Sequence, residues 1–231
     1  MILAAPAVIV DKTDLWTMAP RRFTPTNDRM IRDAVKAALV SRHADDDAVI
    51  VEELKTARGS GRLDIAVING KLEGVEIKSD LDTLSRLGRQ ATYFGGAADK
   101  MTLVVGDRHL NNAVTMVPDW WSIVKATAKT SGEIHLKTLR RGRINKHLDP
   151  EALTFLLERE ELVILLERFG LDSGIRTAPY SELSRRAMGA IRKQNLAAEV
   201  RSLLKRRAEF QKSFEIGAFG RNTVICTQRV D

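Results

Sequence analysis

The first clear pattern along the chain is an apolar stripe at helical spacing. Its members are Ile31, Ala34, Val35, Ala38 and Leu39. Asn27 or Asp28 stands just before the stripe and can cap the exposed amides of a first turn. The spacing therefore predicts a helix from residue 27 or 28 to about Arg42.

Apolar runs bounded by turn residues follow this helix and are typical of strands. They predict strands near 48–54, 62–68, 72–79 and 101–105, with a helix near 82–95 before the last of these. Shorter segments predict a helix over 110–114 and strands over 120–124 and 133–136. This order indicates an α/β domain.

After Pro150 the pattern changes to helices. Apolar residues at helical spacing predict helices over 151–169, 179–192 and 196–212, and a last short strand over 223–227. Three domains are expected: an N-terminal arm over 1–26, an α/β core over 27–149, and a basic helical subdomain with a tail over 150–231.

Charged residues interrupt two of the predicted strands. Asp64 begins one apolar run, and Glu76 and Lys78 alternate with apolar residues in the next. A strict two-residue turn at Asn69-Gly70 would place Asp64 and Glu76 on opposite faces of the sheet. A three-residue loop over 69–71, or a bulge at Gly74, would bring them together.

In the shifted register, Asp64, Glu76 and Lys78 share one face. Two carboxylates and the Ile77 carbonyl are oxygen ligands suited to a hard divalent cation. Lys78 could then hold the attacking water and offset charge on a phosphate. This combination points to metal-assisted cleavage of phosphodiester bonds.

The order of an upstream acid, Asp64, Glu76-Ile77-Lys78 and a helix carrying Gln90 and Tyr93 resembles the PD-(D/E)XK nuclease superfamily, in a bacterial and phage branch. The resemblance implies a restriction-endonuclease-like core of order αβββαβ with a mixed central sheet flanked by helices. Leu63 departs from the pattern, because it stands where the superfamily has its proline.

The resemblance also implies roles for individual residues. Asp64, Glu76, the Ile77 carbonyl and an upstream acid would bind Mg²⁺ or Mn²⁺. Glu53 is preferred as that acid, with Glu52 as the alternative. Lys78 would assist the nucleophile and Gln90 would support the site.

The positive charge is concentrated late in the chain. Residues 137–212 contain 17 basic and 10 acidic residues, whereas the rest contains 20 of each. A cationic region beside a neutral core suits a polyanion such as nucleic acid. The residues expected to contact it are Arg62, Tyr93, Arg185, Arg186, Arg192, Lys193, Lys205, Arg206 and Arg207.

Cys226 is the single cysteine, and no apolar run is long enough to span a bilayer. We therefore expect a cytoplasmic protein without a membrane partner; a homodimer remains open. The first hypothesis is a metal-dependent deoxyribonuclease acting on DNA. The alternatives are a non-catalytic nucleic-acid-binding or regulatory protein on the same fold, and an RNA-directed nuclease.

Overall fold

The structure is a computed structural model that describes residues 24–55, 61–215 and 224–227. The expected arm over 1–26 lies outside these ranges except for its last three residues. Within these ranges no helix has the length and apolar character needed to cross a membrane.

Seven helices and seven strands are described in the order of the chain. They are α1 (Asp28–Arg42), β1 (Ala48–Lys55), β2 (Arg62–Ile68), β3 (Leu72–Lys78), α2 (Leu87–Gly95), β4 (Lys100–Gly106), α3 (Leu110–Met116), β5 (Ser122–Ala128), β6 (Ile134–Arg140), α4 (Pro150–Thr154), α5 (Arg159–Arg168), α6 (Tyr180–Ala190), α7 (Lys193–Glu215) and β7 (Val224–Thr227). The predicted order from α1 to β4 is confirmed.

The strands form one mixed sheet in the order β6-β5-β4-β3-β2-β1-β7. Strand β3 pairs parallel with β4, and β4 with β5, while the other neighbours are antiparallel. Helix α1 covers one face through Ile31, Val35 and Leu39. Helices α2 and α4 to α7 pack with the other face in a larger apolar cluster. The prediction of an α/β fold with a mixed sheet flanked by helices is therefore confirmed.

The hairpin between β2 and β3 has the three-residue loop that the shifted register requires. Ile68 pairs with Leu72, and Ala66 pairs with Gly74. The loop closes through a hydrogen bond from the Asn69 amide to the Lys71 carbonyl, and Gly70 supplies a positive φ of 63°. This register places Asp64 opposite Glu76.

Two of the predicted helices differ most from the observed bounds. The segment predicted as one helix over 151–169 is two, because α4 stops after Thr154 and Glu158 starts α5 with a capping box closed by Glu161. The helix predicted from residue 82 begins only at Leu87. Asp82 instead accepts hydrogen bonds from the amide and hydroxyl of Ser79 and closes a local turn.

The last long helix is anchored to the sheet by a buried ion pair. Arg201 on α7 contacts both carboxylate oxygens of Asp99 at 2.6 and 2.8 Å, and Asp99 also accepts from the Leu72 amide. Asp99 is 6% exposed. The helices after Pro150 thus pack directly on the sheet; the domain boundary at 149/150 stays a prediction.

Candidate functional site

A cavity of about 800 Å³ lies beside the first turns of α1, the ends of β2 and β3, and α2. Its walls carry both acidic and basic residues. The acids are Asp28, Glu53, Asp64 and Asp82, and the cations include Arg32, Arg62 and Lys78. The predicted site residues of the strands therefore do come together.

Asp64 is held by contacts on both sides. Its Oδ2 accepts a 2.7 Å hydrogen bond from the Ile77 amide on β3, and its Oδ1 lies 3.3 Å from a guanidinium nitrogen of Arg32. Burial raises the pKa of Asp64, while the Ile77 hydrogen bond and the charge of Arg32 oppose the rise. Ile77 thus contributes its amide to Asp64.

Glu76 and Lys78 form a buried pair on the same face of β3. The Lys78 ammonium donates to Glu76 Oε1 at 2.6 Å, and the Glu76 side chain is fully buried. Burial raises the pKa of Glu76 to about 7, the charge of Asp64 adds to the rise, and Lys78 opposes it. The second carboxylate oxygen of Glu76 accepts no hydrogen bond of good geometry from the described residues, although the Gln90 side chain on α2 is close enough to Glu76 to lower its pKa.

Of the two upstream acids, Glu53 is the one that lines the cavity. It forms ion pairs with Arg32 at 3.0 Å and with Arg62. Glu52 instead contacts Lys36 of α1 at 2.5 Å. Glu53 has a φ of 59°, an unusual value for a residue other than glycine. The alternation of β1 breaks there, because Val51 and Leu54 enter the same apolar cluster.

Arg32 was not among the predicted site residues, yet it occupies the centre of the acidic group. Its guanidinium donates two hydrogen bonds to the Asp28 carboxylate, one to Asp64 Oδ1 and one to the Asp64 carbonyl. Arg32 also forms an ion pair with Glu53. The one available signal was the Asp28–Arg32 spacing of four on α1, which is common on helix surfaces.

The carboxylates present do not fit a divalent metal as they stand. Asp64 and Glu53 are engaged by Arg32, and Glu76 is engaged by Lys78. No group of three or more His, Cys, Asp or Glu side chains in positions to hold a metal ion is found in the ranges 24–55, 61–215 and 224–227. The role of Asp64, Glu76, Ile77 and Glu53 or Glu52 as metal ligands stays a prediction, because in this arrangement their side chains and the Ile77 amide are engaged with other protein groups.

Gln90 and Tyr93 line the same cavity from α2, as their spacing of three predicts. Gln90 Oε1 is buried without a hydrogen-bond partner among the described residues. Tyr93 packs edge-on against Phe94 with ring centroids 5.7 Å apart. Three further cations at the cavity, Lys55, Arg86 and Arg89, were not among the predicted contacts and are exposed.

The predicted cations of the helical region divide into two groups. Three are engaged within the protein: Arg186 with Glu182 and the Ser173 carbonyl, Lys205 with Asp47, and Arg207 with Glu161 and the Leu156 carbonyl. Each of these three side chains would have to leave its partner within the protein before it could contact a ligand.

The other four cations are Arg185, Arg192, Lys193 and Arg206. All are exposed. None shows an acidic partner or a hydrogen bond from its side chain in the described part of the chain. We use the name free-cation surface for this set of four exposed residues, which are distributed over α6, its junction with α7, and α7 itself. Arg192 and Lys193 stand at the junction of α6 and α7, followed by exposed Gln194 and Asn195.

Comparison with known proteins places the chain in a family. The family model described as bacteriophage P4 protein cII matches residues 23–225. Protein cII of Enterobacteria phage P4 is 31% identical over 125 residues, which cover 54% of this chain and 47% of that protein. The match thus spans about half the length of this relative. No solved structure gives a significant match.

These matches correct the assignment made from the motif residues. The resemblance to PD-(D/E)XK nucleases is wrong, and the deoxyribonuclease or other hydrolase activity that it implied falls with it, because the matching family is a different one. The expected phage affiliation agrees with the source of the relative. A match over 203 of 231 residues leaves one conclusion: the chain belongs to the bacteriophage P4 protein cII family.

Proposed function

We propose that the protein binds nucleic acid, with DNA as the favoured partner, and acts there as a regulatory protein without cutting it. The observation that carries this proposal is the free-cation surface: Arg185, Arg192, Lys193 and Arg206 lie exposed within residues 137–212, the region that carries the excess positive charge of the chain. Membership of the P4 protein cII family favours this function over a nuclease.

The distribution of charge supports a polyanionic partner. Residues 137–212 carry the whole net charge of +7. Exposed cations that form no ion pair with another described residue are available to phosphate groups, and each contact releases counterions from the nucleic acid. Paired residues such as Arg207 contribute less, because their charge is already balanced.

The types of residue at the α6–α7 junction also suit nucleic acid. Arg192, Lys193, Gln194 and Asn195 are four exposed polar residues in succession. Arginine and lysine contact phosphates and guanine, whereas glutamine and asparagine can pair with adenine in the major groove. The junction therefore combines charge for affinity with side chains able to read bases.

Fluorescence anisotropy with a labelled 25-bp duplex tests the proposal. The double variant Arg192→Ala/Lys193→Ala should bind roughly tenfold more weakly and lower the slope of log affinity against log salt by about 2. The same assay with single-stranded DNA and with duplex RNA identifies the preferred partner.

A matched control removes two positive charges elsewhere. Arg29→Ala/Lys71→Ala lacks a fully exposed arginine of α1 and the exposed lysine of the β2–β3 loop. The control should bind like the wild-type protein. An equal loss of affinity in both variants would mean that only the net charge matters, and it would reject the free-cation surface as the contact. A wild-type protein that does not bind nucleic acid would reject the proposed function itself.

A further inference from the structure

Three acidic residues of the cavity surround the side chain of Arg32. The Arg32 guanidinium has five N–H donors in a planar fork. Four of its hydrogen bonds go to Asp28 and Asp64 at 3.0 to 3.3 Å, and the remaining contact is the 3.0 Å ion pair with Glu53. Its side chain is only 15% exposed. The polar groups of this arginine are thus fully used by three acidic residues.

The three acids would be unfavourable neighbours without this guanidinium. Asp64 and Glu53 are 15% and 22% exposed, and carboxylates brought together in a partly buried site repel each other. The backbone at Glu53 adopts its positive φ while its carboxylate contacts Arg32 and Arg62. A residue other than glycine keeps such a left-handed backbone only where its surroundings hold it.

Glu76 is a further buried carboxylate close to Asp64. Glu76 is fully buried, its Oε1 is taken by Lys78, and its Oε2 accepts no hydrogen bond of good geometry from the described residues. Asp64 accepts a hydrogen bond from the amide of Ile77, the residue next to Glu76, so the two carboxylates belong to neighbouring strands of one site. Glu76 thus adds a buried carboxylate beside Asp64, although it does not line the cavity itself.

We propose that Arg32 is a built-in substitute for a metal ion: its guanidinium fills the cation position between Glu53 and Asp64, excludes divalent cations from the wild-type protein, and uncovers a divalent-cation site when it is removed. This inference does not depend on the proposed nucleic-acid function. It accounts for a site with the residue types of a metal centre in which Arg32 already balances the charge of the neighbouring carboxylates.

Titration with MnCl₂ tests the proposal. Isothermal calorimetry measures the binding of Mn²⁺, and the midpoint of thermal unfolding measures the stabilisation that binding gives. Arg32→Gln removes the charge but keeps an amide donor, Arg32→Ala removes the whole group, and Arg32→Lys keeps a single positive charge. Arg29→Ala is the matched control, because Arg29 lies on the same helix and its one ion pair with a described residue is with exposed Asp33, at 4.0 Å.

The expected result is a Mn²⁺ response that follows the loss of charge. Arg32→Gln and Arg32→Ala should unfold at lower temperature without metal and recover progressively as the Mn²⁺ concentration rises. Adding Glu53→Gln to Arg32→Gln should abolish the recovery. Wild type, Arg32→Lys and Arg29→Ala should show no response. If Arg32→Ala fails to fold without metal, Arg32→Gln provides the same comparison.

Two outcomes would overturn the proposal. One is a wild-type protein that binds Mn²⁺ as tightly as Arg32→Gln, which would mean that the guanidinium does not exclude the ion. The other is a folded Arg32→Gln that ignores Mn²⁺, which would mean that the carboxylates form no cation site even when they are released.

Discussion

Lys78 donates a 2.6 Å hydrogen bond to Glu76, the residue two positions earlier on the same strand, and both side chains are buried. Residues two apart on a strand point to the same face, so the pair forms within β3 itself. The ammonium supplies the charge that Glu76 needs in an apolar setting. The predicted catalytic lysine thus has a structural partner.

Removing Lys78 should therefore destabilise the protein. Lys78→Met leaves a buried carboxylate without its counter-charge, and breaking one side of a buried pair typically costs about 3 to 5 kcal/mol. Urea unfolding at pH 8 measures the loss. The double variant Glu76→Gln/Lys78→Met should recover much of it, and a double variant as unstable as the single one would contradict this role for the pair.

The raised pKa of Glu76 predicts a dependence of stability on pH. Its ordinary pKa is 4.5 and its pKa in the folded protein is about 7, so the folded state holds the proton more tightly. This contribution is complete below pH 4.5 and is lost as the pH rises towards and through 7. Unfolding free energies measured from pH 4 to 8 should fall more for wild type than for Glu76→Gln. Parallel curves for the two proteins would show that Glu76 titrates normally.

The buried Asp99–Arg201 pair should contribute far more to the free energy of unfolding than the more exposed pair that joins Arg168 of α5 to Glu199 of α7. Arg201→Met leaves Asp99 buried and unpaired and should cost about 3 to 5 kcal/mol. The matched variant Arg168→Met removes the partly exposed contact with Glu199 and should cost about 0 to 1 kcal/mol. Similar urea midpoints for the two variants would contradict the anchoring of α7 through Asp99.

Strand pairing was the part of the site that could be predicted from sequence. Alternation along β2 and β3 allowed only one register that brings Asp64 opposite Glu76, and Asn69, Gly70 and Lys71 form the loop that this register needs. A period of two makes such a test possible, because a shift of one residue reverses every side chain.

Arg32 could not be predicted in the same way. It reaches Asp64 from a helix 32 residues earlier, and only tertiary packing brings α1 to the end of β2. Without that contact, the acids look free to bind a metal. The same limit applies to the helical cations: Arg206 and Arg207 are adjacent in sequence, yet only Arg207 is held by Glu161.

The mistaken nuclease assignment has a physical explanation. An acid, a second acid and a lysine on neighbouring strands satisfy a catalytic pattern, but the same residue types also form a self-neutralised network when an arginine and a lysine supply the positive charge. Residue type and spacing do not distinguish these two states. The contacts of each carboxylate do.

The most direct test of binding without cutting uses one sample for both measurements. A supercoiled plasmid and a labelled duplex are incubated with the wild-type protein and Mg²⁺ or Mn²⁺, and anisotropy and strand integrity are recorded together. We predict salt-sensitive binding with every strand intact. Metal-dependent cleavage that disappears in Lys78→Ala would contradict the account.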